Sequence, residues 1–377
     1  QILIIVSLSL LAFQVAFMLF IIYAYWKYKV IASVSDEELP TCTVIVPAYN
    51  EGKLVLETLR SLASNKYPHE KLQLLAIDDG SKDDTWYWMQ QAKLELGDRV
   101  TILQQPVNKG KRHALYRAFH IGTGDVFVTV DSDSIVKEDT LRNLVSPFIT
   151  YENCGAVGGN VRVLNKKSGL IPRMLNVTFV FSFEFIRSAQ SVFGSVLCTP
   201  GALAAYKKSA VMACLPEWIN QKFMGSLSDI GEDRALTNMI LKQGYHVLFQ
   251  KNSFVYTNSP EDYKTLYKMF IRWERSNVRE NIEMTNFAFS NFRKGPKFVP
   301  RFLLVNQWIK VIMSYPFTIL MFFLIFTNPI LFLSSTLFGI FIFSTIQVIF
   351  YSKKYNFLES LWFYTYSIFY TFTLFWI

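Results

Sequence analysis

The sequence predicts an α/β domain on a mixed, mostly parallel sheet, flanked by helices that cross a membrane. Three observations carry this reading. Short apolar β runs alternate with helical spacing between Pro40 and about Tyr256, uncharged stretches long enough to span a bilayer lie towards both ends, and three of the β runs end in polar loops. The composition agrees, since 51% of the residues are hydrophobic, 34 are Phe and the mean hydropathy is +0.23, too apolar for an ordinary soluble protein. A net charge of +9 suits an anionic membrane surface or phosphorylated ligands, and no nucleic-acid motif accompanies it. Membrane lipids are therefore expected partners and nucleic acid is not. The cysteines, Cys42, Cys154, Cys198 and Cys214, are too few and scattered for a disulfide framework or a zinc site and fit a reducing cytoplasm.

Residues 1–26 carry no charge, more than the roughly 20 that cross a bilayer as a helix. Lys27 and Lys29 follow the apolar run rather than precede it, so residues 1–30 read as a membrane helix that delivers the chain to the cytoplasmic side. An α/β domain over 38–260 comes next. Strands are expected at 43–47, 72–78, 100–104 and 126–130, with helices at 51–64 and 83–96. Parallel strands joined by right-handed crossovers bring the loops at 48–52, 78–84 and 131–133 to one edge, where α/β folds bind ligands.

Residues 261–298 are expected to form amphipathic interface helices. Lys264, Lys268 and Arg272 recur every four residues, followed by Arg275 and Arg279, while Tyr263, Leu266, Tyr267, Phe270 and Trp273 supply apolar bulk that can lie on the cytoplasmic leaflet. Part of 169–193, aromatic and poor in charge, reads as a second membrane-surface element. Residues 311–352 carry no charge and as one helix would be roughly 63 Å long, about twice a bilayer core, so the run must turn at Asn328-Pro329. With a last helix at 357–377, the segment 299–377 supplies three membrane helices, about four in all. Basic clusters at Lys294, Lys297 and Arg301 and at Lys353 and Lys354 place the α/β domain in the cytoplasm.

The chemistry centres on Val126-Phe-Val-Thr-Val-Asp131-Ser132-Asp133. Side chains alternate along a strand, so Asp131 and Asp133 face the same way and Ser132 the other. Two adjacent carboxylates repel unless a cation lies between them, and Mg²⁺ or Mn²⁺ shared with a diphosphate meets that need. An isolated Asp-x-Asp is more often a polar turn. Here two further loops change the odds: Tyr49 offers a flat face for a base, Glu51 and Asp79 accept hydrogen bonds from ribose or base, and Lys109, Lys111 and Arg112 bring cations to a helix start where diphosphate charge is stabilised. The set has the chemistry of a nucleotide-sugar site.

These motifs, with Gly231-Glu232-Asp233-Arg234 and Arg272-Trp273, resemble in content and order those of membrane-bound family-2 glycosyltransferases. The likeness spans roughly 40–280 and is nearest to hyaluronan synthases, chitin synthases and the rhizobial nodulation chitooligosaccharide synthase. It implies a GT-A-type fold, a UDP-sugar donor bound by Tyr49, Glu51, Asp79, Lys109, Lys111, Arg112, Asp131, Ser132 and Asp133, and Mn²⁺ or Mg²⁺ held by Asp131 and Asp133. Asp233 is implied as catalytic base, with Cys198, Glu232, Arg234, Arg272, Trp273 and Arg275 around the glycan acceptor or the diphosphate. The implied reaction is inverting transfer, with N-acetylglucosamine the expected sugar and a β-linked chain the product. One residue departs from the family's Gln-x-x-Arg-Trp pattern: Met269 stands where the Gln is expected.

Overall fold

The computed structural model describes residues 2–374. Its strands in chain order are β1 (Cys42–Ala48), β2 (Leu72–Asp78), β3 (Val100–Gln104), β4 (Val126–Val130), β5 (Ser134–Val136), β6 (Cys154–Val163), β7 (Leu203–Lys207), β8 (Lys222–Phe223), β9 (Ser226–Leu227) and β10 (His246–Thr257). One sheet takes the order β3-β2-β1-β4-β7-β6-β10-β5, and β8 pairs with β9 in a separate hairpin. β1 runs parallel to β2 and β4, β2 to β3, and β6 to β10. β7 is antiparallel to β4 and β6, and β5 to β10, so the sheet is mixed and mostly parallel, as expected.

Every residue of β1 and β4 is buried, which is why these strands read as continuous apolar runs rather than alternating ones. Their parallel alignment opens the carboxyl ends of β1, β2 and β4 on one edge. There the Asp79 N–H donates to the Ala48 carbonyl (2.9 Å) and the Gln105 N–H to the Asp78 carbonyl (2.8 Å), which ties the polar loops together. The helices Leu54–Ala63 and Thr85–Leu96 lie within the expected spans.

Among the described residues three helices are long and apolar enough to cross a membrane: Ser9–Lys27, Phe298–Thr327 and Pro329–Ser352. The last two part at Asn328-Pro329, where the Asn328 side chain accepts the Leu331 N–H and Pro329 takes the first helical position. The fourth expected span is helical over Phe357–Ser360 and Trp362–Thr373, and Leu361 between them keeps helical dihedrals (φ −63°, ψ −18°), so the described part of it runs about 25 Å. The tail of that expectation, residues 375–377, lies outside the described residues.

The segment 170–191 also differs from a simple surface element. It runs as an α-helix (Leu170–Val180), a π-helical turn (Phe181–Arg187) and a short α-helix (Ser188–Ser191), with much of its surface buried. Phe185 packs on Tyr25 (ring centroids 5.1 Å) and Phe350 (4.7 Å), so the segment wedges between the sheet and the membrane helices. A single apolar core extends from the sheet to Ile21 and Ala24 at one membrane helix and to Leu303 and Leu304 at another.

Candidate active site

Asp131 and Asp133 follow directly on β4. Lys111, in the first turn of helix Lys111–Ile121, donates from Nζ to Asp131 Oδ1 at 2.5 Å and lies 3.5 Å from Glu232 Oε1. Asp133 Oδ1 accepts from the hydroxyls of Thr257 (3.1 Å), the last residue of β10, and Ser134 (3.2 Å). Burial, then the charge of Asp131, raises the Asp133 carboxyl above its ordinary range, and burial with Asp133 and Asp131 pushes Glu51 up to about 7. Negative charge is thus concentrated at this edge beyond what Lys111 offsets.

Asp233 lies in the first turn of helix Glu232–Lys242, and the preceding Gly231 has φ +66°. A Cβ on Gly231 would meet Ser276 Oγ at 1.7 Å, so only glycine allows this approach. Burial first, then the charge of Glu232, pushes the Asp233 carboxyl up to about 6, against the opposing pull of Lys111. Gly201 completes the picture from the opposite wall. A Cβ there would lie 3.2 Å from Lys111 Nζ, 3.6 Å from Asp233 Oδ2 and 3.9 Å from Asp131 Oδ2, so the three groups face one small space. A carboxyl of raised pKa, a cation and a second carboxylate share it.

A chain of hydroxyls braces that wall. The Thr237 hydroxyl donates to the Asp233 carbonyl (2.8 Å), Thr199 bonds to Thr237 (2.8 Å) and Tyr206 to Thr199 (2.9 Å). Because a carbonyl only accepts, the direction is fixed: Tyr206 donates to Thr199 and Thr199 to Thr237. Thr237 was recoverable from the sequence, four residues after Asp233 on the same helix face. Thr199, Tyr206, Thr257 and Gly201 had no such signal, since strand pairing and loop geometry place them.

The remaining expected site residues divide. Glu232 and the half-buried Cys198 flank Asp233, and burial, then Asp233, pushes the Cys198 thiol up to about 12, so it is a wall and not a nucleophile. Asp79 is buried and accepts from Gln105 Nε2 (2.5 Å) and the N–H groups of Lys109 (3.0 Å) and Gly110 (2.8 Å), so most of its acceptor capacity braces its own loop. Tyr49 and Lys109 are exposed at the cleft edge, and Ser132 is buried with its carbonyl bonded to Thr58 (2.8 Å). Arg112 is turned away. One helical step of roughly 100° from Lys111 directs it inward, where Nη1 donates to the Trp218 carbonyl (2.7 Å) and Gln221 Oε1 (3.1 Å). Arg234 likewise fastens to Asn277 (2.9 Å) and Asn281 (2.7 Å) of the interface helix instead of lining the cleft. Arg272, Trp273 and Arg275 are exposed on that helix, with the Trp273 ring 6.2 Å from Phe179.

Together these features define an α/β protein with a GT-A-like sheet, a carboxylate-rich cleft at its strand ends, and helices long and apolar enough to cross a membrane. The family model described as "Glycosyltransferase like family 2" matches residues 40–276, and the chain belongs to that family. It is 34% identical over 248 residues to the N-acetylglucosaminyltransferase of Rhizobium meliloti, covering 66% of this chain and 58% of that protein. To the hyaluronan synthase of Streptococcus pyogenes it is 32% identical over 252 residues, 66% of this chain and 59% of the relative. The chain thus spans less than two thirds of the length of the curated relatives it matches. A mannosyltransferase from Pyrobaculum calidifontis, solved with GDP-Man and Mn²⁺, shares the fold over 96% of this chain and 97% of its own, with a TM-score of 0.65 at 19% identity.

Proposed function

We propose that the protein is an inverting, metal-dependent synthase that transfers N-acetylglucosamine from UDP-N-acetylglucosamine to the end of a growing β-linked glycan and passes the product through its own membrane helices. The observation that carries this reading is the convergence of Asp233, Lys111 and Asp131 on the space beside Gly201. An acceptor hydroxyl placed there loses its proton to Asp233 as its oxygen attacks the anomeric carbon. Lys111, charged and half-enclosed, stabilises the negative charge that develops on the leaving diphosphate. Burial, and after it the charge of Glu232, makes Asp233 a stronger base than an isolated aspartate.

The donor set fits a divalent ion. Burial raises both Glu51 and Asp133, with Asp131 adding to Asp133 and with Asp133 and Asp131 adding to Glu51, which is the excess of negative charge a cation neutralises. Mn²⁺ or Mg²⁺ is commonly held by one or two carboxylates with substrate phosphates completing the shell. Asp131 and Asp133 would hold it, and bound there it would neutralise charge on the nucleoside diphosphate. The uncharged helices and flanking lysines support a cytoplasmic catalytic domain in a cell membrane.

The test is to purify the protein into lipid nanodiscs, supply UDP-N-acetylglucosamine with and without UDP-glucuronic acid, and size the products with Mn²⁺ or with EDTA. A β-linked oligomer or polymer from UDP-N-acetylglucosamine alone is expected, with no product in EDTA or from Asp133→Asn. An obligatory second donor makes the protein a hyaluronan-type synthase, which its likeness to the streptococcal enzyme keeps in view. Transfer of a single sugar to lipid, or full activity in EDTA, sinks the proposal.

A further inference from the structure

Two buried residues of the interface helix Tyr263–Ala288, Arg279 and Glu280, take no part in the chemistry above, yet they belong to a network that reaches both sides of the space beside Gly201. Glu280 Oε1 accepts from Arg279 Nε (2.9 Å) and Gln221 Nε2 (3.0 Å), and Oε2 from Asn238 Nδ2 (2.9 Å). Three donors meet one carboxylate that is 1% exposed, so its charge is compensated inside the protein rather than by water. One branch runs from it to Asp233. Arg279 Nη2 donates to the Ile230 carbonyl (2.6 Å), directly before the Gly231 turn, and Asn238 stands on the same helix as Asp233. The other branch runs to Lys111. Gln221 Oε1 accepts from Arg112 Nη1 (3.1 Å), and Arg112 follows Lys111 in the first turn of its helix.

The chemistry of the junction is restrictive. An arginine only donates and a carboxylate only accepts, so the group between Arg112 and Glu280 must accept at one end and donate at the other, as the Gln221 amide does. A second tie runs in parallel: Arg112 Nη1 also donates to the Trp218 carbonyl (2.7 Å), and Trp218 Nε1 to the Glu232 carbonyl (3.0 Å). The branches end beside the reacting groups and not on them, at Arg112 next to Lys111 and at Ile230 and Glu232 around the turn that carries Asp233. Such a network sets a distance. Displacing a reacting group by about 1 Å costs about 10²-fold in rate. We propose that Glu280 is a positioning residue for the transfer: it fastens the Lys111 helix and the Asp233 turn to the interface helix and so fixes their spacing. The proposal rests on the reading that Asp233 and Lys111 carry the transfer.

The experiment compares wild type with Glu280→Gln, Gln221→Met and the double variant, each in lipid nanodiscs. Q221M is the milder cut, because it opens the branch to Arg112 and leaves Arg279 paired with Glu280, whereas E280Q leaves a buried guanidinium without its counter-charge. With UDP-N-acetylglucosamine as donor, kcat per folded molecule should fall about tenfold in Q221M and about 10²-fold in E280Q, while the donor KM moves less than twofold. The double variant should be no slower than E280Q, since both substitutions break one chain. Spin labels at His120→Cys and Lys242→Cys, exposed on the two helices, read the spacing without any reaction in a Cys198→Ser background. Their distance distribution should widen in both variants. A kcat loss that vanishes when corrected for folded protein, a donor KM that rises as kcat falls, or label distances equal to wild type would overturn the proposal. Full transfer by Asp233→Asn would overturn the catalytic reading by itself, while the label distances still decide whether Glu280 sets the spacing.

Discussion

Below about pH 6 the Asp233 carboxyl, raised by burial and by the charge of Glu232, holds its proton and no longer serves as a base. Transfer should therefore fall about tenfold per pH unit below that value, which a kcat profile from pH 4.5 to 8 measures. The stability effect runs the other way. A carboxyl whose folded pKa lies above its unfolded value of about 4 costs the folded state free energy at neutral pH, and that cost is relieved as pH falls through 6. Asp233→Asn removes the cost, so its thermal midpoint should match or exceed wild type while transfer drops about 10²- to 10⁴-fold. A variant that loses its fold would make Asp233 structural. At this scale the sequence was informative wherever residue type and spacing carried the chemistry. Asp131 and Asp133 stand in the turn after β4, which ends at Val130 and closes with the Ser134 N–H on the Asp131 carbonyl (3.1 Å). The strand alternation expected for them thus stops one residue short, and the role of Asp233 is what its motif implies. The sequence was uninformative where a direction in space decided the role. Lys111 and Arg112 are neighbours of like charge, yet one ion-pairs with Asp131 and the other is buried over the Trp218 ring (5.1 Å). Glu280 offers no motif at all, because a lone carboxylate in a basic helix says nothing about the amides it binds.

Interface helix Tyr263–Ala288 shows how an element overrides a motif reading. Lys264, Lys268, Arg272 and Arg275 are exposed with Trp273, but Arg279 of the expected basic set is buried and donates to the Ile230 carbonyl (2.6 Å), and Leu266, Tyr267 and Phe270 of the expected leaflet face pack inside the protein. Met269 too packs among Val163, Ile171, Met174, Leu175, Leu266 and the rings of Tyr366, Phe369 and Tyr370, in an apolar cluster under the helix. In this chain the position where the family pattern has Gln is a packing position. Met269→Gln should therefore lower stability by about 1–3 kcal/mol through an amide buried without partners, rather than simply restore a site contact. A thermal midpoint equal to wild type would show that the amide reaches a polar partner. The same helix holds the catalytic turn by two amides, Asn277 and Asn281, both on Arg234, and by the close approach of Ser276 to Gly231. Gly231→Ala should cost about 1–3 kcal/mol from its positive φ alone, with the clash added, and reduce activity in step with folded protein. None of these contacts was legible in sequence, because each joins residues more than forty apart through side chains of ordinary type.

Across the whole molecule, hydropathy located the long apolar helices but said nothing of how the last segment packs. Two hydroxyls of residues 362–373 bond to the neighbouring helix, Ser367 with Ser344 (2.8 Å) and Tyr364 with Thr345 (2.7 Å), and the Thr373 carbonyl accepts the Tyr263 hydroxyl (2.7 Å). Beside the shared apolar core, a buried carboxylate links the apolar helices to the sheet, and it is equally hidden in the sequence. Glu184, on the π-helical turn, is wholly buried and accepts from Arg162, Asn160 (3.1 Å), Lys354 (2.8 Å) and the Tyr355 hydroxyl (2.8 Å). Lys251, 4.0 Å away, donates in turn to the Tyr25 hydroxyl (3.0 Å) of the first membrane helix. Burial alone would raise Glu184, but Arg162 and Lys354 outweigh it and hold the carboxylate below its ordinary range. A depressed folded pKa contributes stability above the unfolded value of about 4, and that contribution is lost as pH falls through the folded pKa. Glu184→Ala would strand Arg162 and Lys251 inside the protein and should destabilise it at pH 7 by about 3–5 kcal/mol. Lys354→Ala, at a half-exposed partner, should cost about 1 kcal/mol or less. The thermal midpoints of both variants at pH 7, and of E184A at pH 4, decide the matter: the E184A deficit should be much the larger at pH 7 and should shrink in acid. Equal deficits for the two variants would mean that membrane packing, rather than this carboxylate, holds the halves together.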